Sequence, residues 1–171
     1  MERPSKESMI IEFKSDRRCY PLAKLYEDLV GLANTDGGWL YLGVEDNGTP
    51  TGVDKQHMNC QFMESTIQDN TVPSLFVRTH IENWDGHDVL AIEVPISRQL
   101  MMTAEGKYLR RRLKRDGPPE PVALKPYEIL QRLSYIQALD PSAQVIEDLR
   151  AEVALSPLER ERMRNMIRTY H

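Results

Sequence analysis

Residues 32–52, LANTDGGWLYLGVEDNGTPTG, decide how the rest of the chain folds. An apolar helical run reaches Asn34-Thr35-Asp36 and stops at Gly37-Gly38, because Asn and Gly tolerate the left-handed backbone of a helix C-terminus. Trp39–Val44, WLYLGV, is short, apolar and aromatic, the pattern of a strand covered on both faces. Glu45-Asp46-Asn47-Gly48 closes that strand, and Asn-Gly is among the strongest turn signals. Two carboxylates therefore stand at the end of a rigid strand, and the functional reading starts from them.

Upstream, Glu7–Lys14 reads as a first strand carrying Met9, Ile10, Ile11 and Phe13, with Glu12 and Lys14 on one face. Ser15–Tyr20 is a polar connection holding Arg17 and Arg18. Pro21 suits the first turn of a helix, and Leu22, Leu25, Tyr26, Leu29, Val30, Leu32 and Ala33 recur at helical spacing, with Lys24, Glu27 and Asp28 opposite. Downstream, residues 55–70 read as a helix with Met58, Phe62, Met63 and Ile67 inward. Leu75–Glu82 and Asp88–Pro95 alternate like strands, joined through Asp85-Gly86 as a hairpin. Lys107–Leu113, KYLRRRL, reads as a strand with Tyr108, Arg110 and Arg112 on one face and Leu109, Arg111 and Leu113 on the other. Gly117–Pro121 interrupts regular structure, and the remainder is helical. Ser156-Pro157-Leu158-Glu159 has the capping-box pattern that opens a last, arginine-rich helix.

Composition narrows the class. At 171 residues, 40% hydrophobic and 28% charged, the chain suits one main globular domain. A net charge of −4 does not mark a nucleic-acid binder in bulk, so local clustering must carry that reading. Cys19 and Cys60 lack metal spacing and read as free thiols of a cytoplasmic protein. No apolar run approaches the roughly 20 residues of a membrane span, so no membrane partner is expected.

Two constellations carry chemistry. The first is acidic: Glu7, Glu12 and the pair Glu45-Asp46 can converge on a hard divalent cation if the two strands are neighbours, with Lys14 placed to hold a phosphate. Glu7 and Glu12 differ in parity, so Glu7 reaches the same place only from a turn or bulge. Scattered surface acids are the plain alternative. The second is basic: from Arg98 to Arg115 stand seven basic residues against one acid, Glu105, with Tyr108 among them. Such a face neutralises phosphates without reading sequence; the alternative is an edge strand guarded by charge. The G-x-x-x-x-G-K-[ST] loop of an ATP site is missing, as are zinc-spaced histidines and a serine-hydrolase elbow.

Taken together, Glu7-Ser8…Glu12-Phe13-Lys14, Leu32–Gly38 and Leu42–Gly48…Gly52 resemble the Alba-like, Schlafen-type DNA-binding domain once described as a divergent AAA module. Tyr108-Leu109-Arg110 resembles the strand that precedes that family's closing helix, and the likeness runs from about Glu7 to Leu133. The resemblance implies an α+β domain that binds nucleic acid, found in bacteria mostly in transcriptional regulators. In vertebrate Schlafen proteins it implies a metal-dependent endoribonuclease acting on transfer and ribosomal RNA. By motif, the acids of that activity correspond here to Glu7, Glu12 and Asp46. Those nucleases use two lobes as a basic clamp; a homodimer would supply the second.

The resulting expectations are an α+β fold with a mixed, mostly antiparallel sheet packed by helices. A nucleic-acid-binding domain spans 1–138, and 139–171 is a helical extension: an appendage, an oligomer contact or the start of a truncated region. DNA or RNA binding rests on Lys14, Arg17, Arg18, Tyr108, Arg110, Arg112 and Lys114, with no cofactor required. The rival is an RNase with Mg²⁺ or Mn²⁺ on Glu7, Glu12 and Asp46, aided by Lys14. A third class is a protein-assembly module.

Overall fold

Four strands build the main sheet in the order β1-β2-β5-β4: β1 (Ile11–Lys14), β2 (Gly38–Leu42), β4 (Arg78–Trp84) and β5 (His87–Val94). The computed structural model describes residues 3–139, with side chains through Ser134. β1 and β2 run parallel, with Glu12 opposite Leu40 and Lys14 opposite Leu42. The crossover between them is α1 (Leu22–Ala33), as a parallel pair requires. β2, β5 and β4 are antiparallel neighbours. The fold is thus α+β with a mixed, mostly antiparallel sheet. The β4–β5 turn is the expected two-residue hairpin: Asp85 and Gly86 both have positive φ, 52° and 86°, which matches the twist of the flanking strands.

Alternation sorts the sheet into two faces. Leu40, Leu42, Leu90 and Ile92 lie in one core cluster with Leu25, Leu29 and Leu32 of α1 and Met63 and Ile67 of α2 (Cys60–Asp69). Phe13, Tyr41, Val89, Ala91 and Trp84 form the other, an aromatic layer in which Tyr41 lies 4.9 Å from Trp84. The remaining elements are β3 (Thr71–Val72), β6 (Met102–Thr103), β7 (Leu109–Arg112), β8 (Glu120–Ala123) and α3 (Pro126–Leu139). β3 pairs with β6, and β7 with β8.

Three local expectations change. The helix expected from residue 55 is broken: Lys55–His57 is a 3₁₀ turn, and α2 starts only at Cys60, where the Asn59 side chain caps Phe62 N at 3.0 Å. That restart puts Met63 and Ile67, four apart, inward and leaves Phe62 and Met58 exposed. Asn34 does not go left-handed; its φ is −77°, and Gly37 at +67° makes the turn. The first strand is shorter than expected, beginning at Ile11 after a Met9-Ile10 turn. The chain divides into two compact units, Met1–Ile129 and Leu130–His171. The expected helices of 140–171 lie outside the described residues. Among the described residues no helix is long and apolar enough to cross a membrane.

Gly38 is where the backbone of β2 meets the start of β1. Its φ is +130°, and a Cβ there would stand 2.1 Å from Ile10 O. Gly86 also has a positive φ, +86°, but open space around it. Gly38→Ala should therefore cost at least about 3 kcal/mol and Gly86→Ala only about 1 kcal/mol. Urea unfolding of the two variants checks this.

Candidate nucleic-acid interface and acidic cleft

Alternation along β1 sends Phe13 to the aromatic face and Glu12 with Lys14 to the helix-covered face. Glu12 is 1% exposed, so its charge must be matched inside the protein. Lys14 Nζ donates to one carboxylate oxygen and Arg111 to the other. Arg111 arrives from β7 with its side chain wholly buried and also donates to Ser8 O at 2.9 Å. The Asn-Thr of the opening stretch holds β7 there. Asn34 Nδ2 donates to Met101 O and Leu109 O, its Oδ1 accepts from Met101 N, and Thr35 Oγ1 accepts from Arg111 N at 2.9 Å.

Asp28 of α1 completes this cluster. It is 4% exposed, 4.0 Å from Lys14 Nζ, and accepts from Tyr20 Oη at 2.9 Å. Burial pushes its carboxyl up to about 6, against the pull of Lys14. Burial acts downward on Lys14, but the Asp28 and Glu12 carboxylates outweigh it and hold the ammonium above its usual value. Burial and Asp28 raise the Tyr20 phenol.

The Met9-Ile10 turn and the Ser8–Ile11 bridge fold Glu7 back, supplying the turn that parity demanded. Glu7 Oε1 accepts from Phe13 N at 3.0 Å. Burial raises its carboxyl, the Phe13 N–H offsetting part of the effect. Glu7, Glu12, Lys14, Asp28 and Asp46 all line one cleft of about 380 Å³, with Lys24, Glu27, Lys114 and Glu120 on its walls. Glu45 turns away, its Oε1 accepting from Ser15 and Thr51. The three predicted acids thus share a cleft but are not gathered into a ligand set. Among the described residues no group of three or more His, Cys, Asp or Glu is placed to hold a metal ion. Glu12 has both oxygens committed to cations, and Glu7 has one on a backbone N–H. As arranged, these carboxylates do not fit a divalent ion.

The basic segment is largely matched by carboxylates. Arg110 donates to Glu128 through Nε and Nη2, at 2.9 and 2.6 Å. Arg112 and Lys114 share Glu120, and Lys107 meets Glu27 and Glu105. Tyr108 is half-buried. Arg17 and Arg18 are exposed, and neither joins an ion pair among the described residues. Arg111 and Asp28 are the residues that sequence reasoning missed. The first was one of a basic run, and the second lay on the polar side of a helix; the parity of Arg111 with Leu109 was the usable signal.

The chain belongs to the Schlafen, AlbA_2 family, whose model matches residues 7–119. Among solved structures, the DIP2311 protein from Corynebacterium diphtheriae is similar in fold, 21% identical with a TM-score of 0.52. The match covers 67% of this chain and 22% of that one, so this chain spans about a fifth of its length. The N-terminal domain of a RecG-related protein from Nitrosomonas europaea is 20% identical with a TM-score of 0.45, over 71% of this chain and 88% of that one. No curated protein matches.

Asp28 gives a pH signature with a definite sign. Its carboxyl rises from 3.8 to about 6 on folding, so the folded state holds the proton more tightly. The stability linked to this group is fully present below pH 3.8 and is lost as pH rises through about 6. Asp28→Asn removes the titration while keeping an acceptor for Tyr20. Its stability relative to the parent should grow between pH 4 and pH 8 by about 3 kcal/mol, at about 1.4 kcal/mol per unit. Urea unfolding across that range measures it.

Proposed function

We propose that this domain binds nucleic acid, DNA foremost, and serves as the binding part of a transcriptional regulator that works as a cytoplasmic homodimer. The observation that carries the reading is the pair Arg17-Arg18, exposed and without a carboxylate partner among the described residues. Membership of the Schlafen, AlbA_2 family supports it. So does the hairpin of β7 and β8, where Arg112 and Lys114 divide one carboxylate, Glu120, leaving positive charge unmatched. Exposed pairs of that kind contribute little stability and exchange readily for a phosphate. Lys14 is held by Glu12 and Asp28 inside the cleft, and Arg110 by Glu128, so both belong to the support of the surface. The cleft walls carry more acids than bases and disfavour a phosphate strand inside it. Contacts made by Arg17, Arg18, Arg112 and Lys114 position a backbone and read no base sequence. A second copy would extend the basic surface.

One observation favours the rival reading as a Mg²⁺- or Mn²⁺-dependent ribonuclease: Glu7, Glu12 and Asp46 line the same cleft. The committed oxygens of Glu12 stand against it.

Each phosphate contact contributes about 0.9 to the slope of log K against log salt on duplex DNA. The double variant Arg17→Ala/Arg18→Ala should therefore lower that slope by up to about 1.8 in a filter-binding titration; an unchanged affinity and slope counts against the proposal. The same preparation incubated with transfer RNA and Mn²⁺ addresses the rival: cleavage that disappears in Asp46→Ala supports the nuclease, and intact RNA opposes it.

A further inference from the structure

Asp16, His57 and Cys19 form a connected chain that the binding function does not use. Asp16 is 1% exposed and His57 2%. Asp16 accepts from Tyr20 N and Asp54 N, each at 2.6 Å, which ties the loop after β1 to the segment before the 3₁₀ turn. His57 Nδ1 lies 3.1 and 3.0 Å from the two Asp16 oxygens. A carboxylate only accepts, so Nδ1 carries a proton, and in the neutral imidazole Nε2 then presents its lone pair. Cys19 Sγ stands 3.8 Å from that Nε2 and is half-buried, with part of its surface in solvent. The thiol is set in place by a tight turn, with Cys19 N donating to Asp16 O at 3.0 Å and a φ of 53°. Nucleophile, base and orienting acid thus stand in sequence, the arrangement that activates thiols elsewhere.

We propose that Cys19 is a reactive thiol, with His57 as its general base and Asp16 as the positioning residue, and that it takes small soft electrophiles, peroxides being the class it meets in a cell. In that step the sulfur attacks one peroxide oxygen while His57 Nε2 accepts the thiol proton. The S–O bond forms, the O–O bond breaks, and the departing hydroxide recovers the proton from His57 as water. Sulfur is oxidised to a sulfenic acid and the peroxide is reduced. Burial and the Asp54 and Asp16 carboxylates hold the thiol above its ordinary value. It therefore rests protonated and depends on the imidazole, rather than standing as a free thiolate. Cys60, also half-buried, has no such chain and serves as an internal control.

The test is the rate of iodoacetamide labelling at each cysteine of the full chain, read peptide by peptide by mass spectrometry. Cys19 should label faster than Cys60 at neutral pH. His57→Gln should slow Cys19 by about a hundredfold, the contribution of a positioned base, and leave Cys60 unchanged. With hydrogen peroxide, the Cys19 peptide should gain oxygen before the Cys60 peptide. Equal labelling of the two cysteines, or a Cys19 rate indifferent to His57→Gln, overturns the proposal. Should that variant unfold, the pH profile of the parent decides. The groups facing the thiol are His57, Asp16 and Asp54, with Arg17 and Arg18 on its own loop. A Cys19 rate that steps up with imidazole deprotonation supports the base. A single rise in the thiol range, as for Cys60, overturns it.

Discussion

The buried pair of Glu12 and Arg111 is the interaction on which the rest of this structure depends. Both side chains are out of water, Arg111 completely. Ions so placed are tolerated only when each is matched and hydrogen-bonded. Glu12 is matched twice, by Arg111 and Lys14. Arg111 adds the carbonyls of Ser8 and Ile11, so one side chain clamps the β7–β8 hairpin to the sheet edge at β1. Pairs of this sort hold geometry more than they add stability. Here the geometry is a cleft whose floor has its charge fixed from within.

That arrangement separates two tasks that the motif places side by side. The acids and Lys14 are committed to one another, with Asp28 and Tyr20 behind them. Exposed cations outside that cluster include Arg17 and Arg18 on the loop after β1 and Arg112 and Lys114 of the hairpin segment, which share Glu120. In the proposed binding mode a nucleic-acid backbone runs along the rim of the acid-walled cleft, on the basic surface beside it. The same loop also carries Cys19, next to Arg18 in the chain, so the reactive thiol and the free cations share six residues.

Much of this was legible in the chain. Asp85-Gly86, the helical spacing from Leu22 to Ala33 and the apolar run at Trp39 gave the hairpin, the crossover and the central strand, because each rests on local backbone physics. The parity of Glu7 and Glu12 asked for a turn only if the two acids were to meet, while the run from Glu7 read as strand; the strand begins at Ile11. The pairings were not legible, because they join residues far apart: Arg111 to Glu12, His57 to Asp16, Asn34 to Met101 and Leu109. Arg111 stood in a run of three arginines that pointed to the surface, yet alternation with Leu109 carries the middle one inward. Asp28 lies on the side of α1 opposite its apolar stripe, and helical spacing alone does not show that this side faces the cleft. The helix near residue 55 failed because Asn59 caps a new start, a signal masked by flanking residues of helical character.

The most direct test is a double-mutant cycle on Glu12→Gln and Arg111→Met, followed by urea unfolding. Removing one partner strands a buried charge and should cost about 3–5 kcal/mol. The double variant should cost well below the sum of the two, with a coupling of about 2 kcal/mol or more. Strictly additive costs would contradict the account and reduce the pair to two independent side chains.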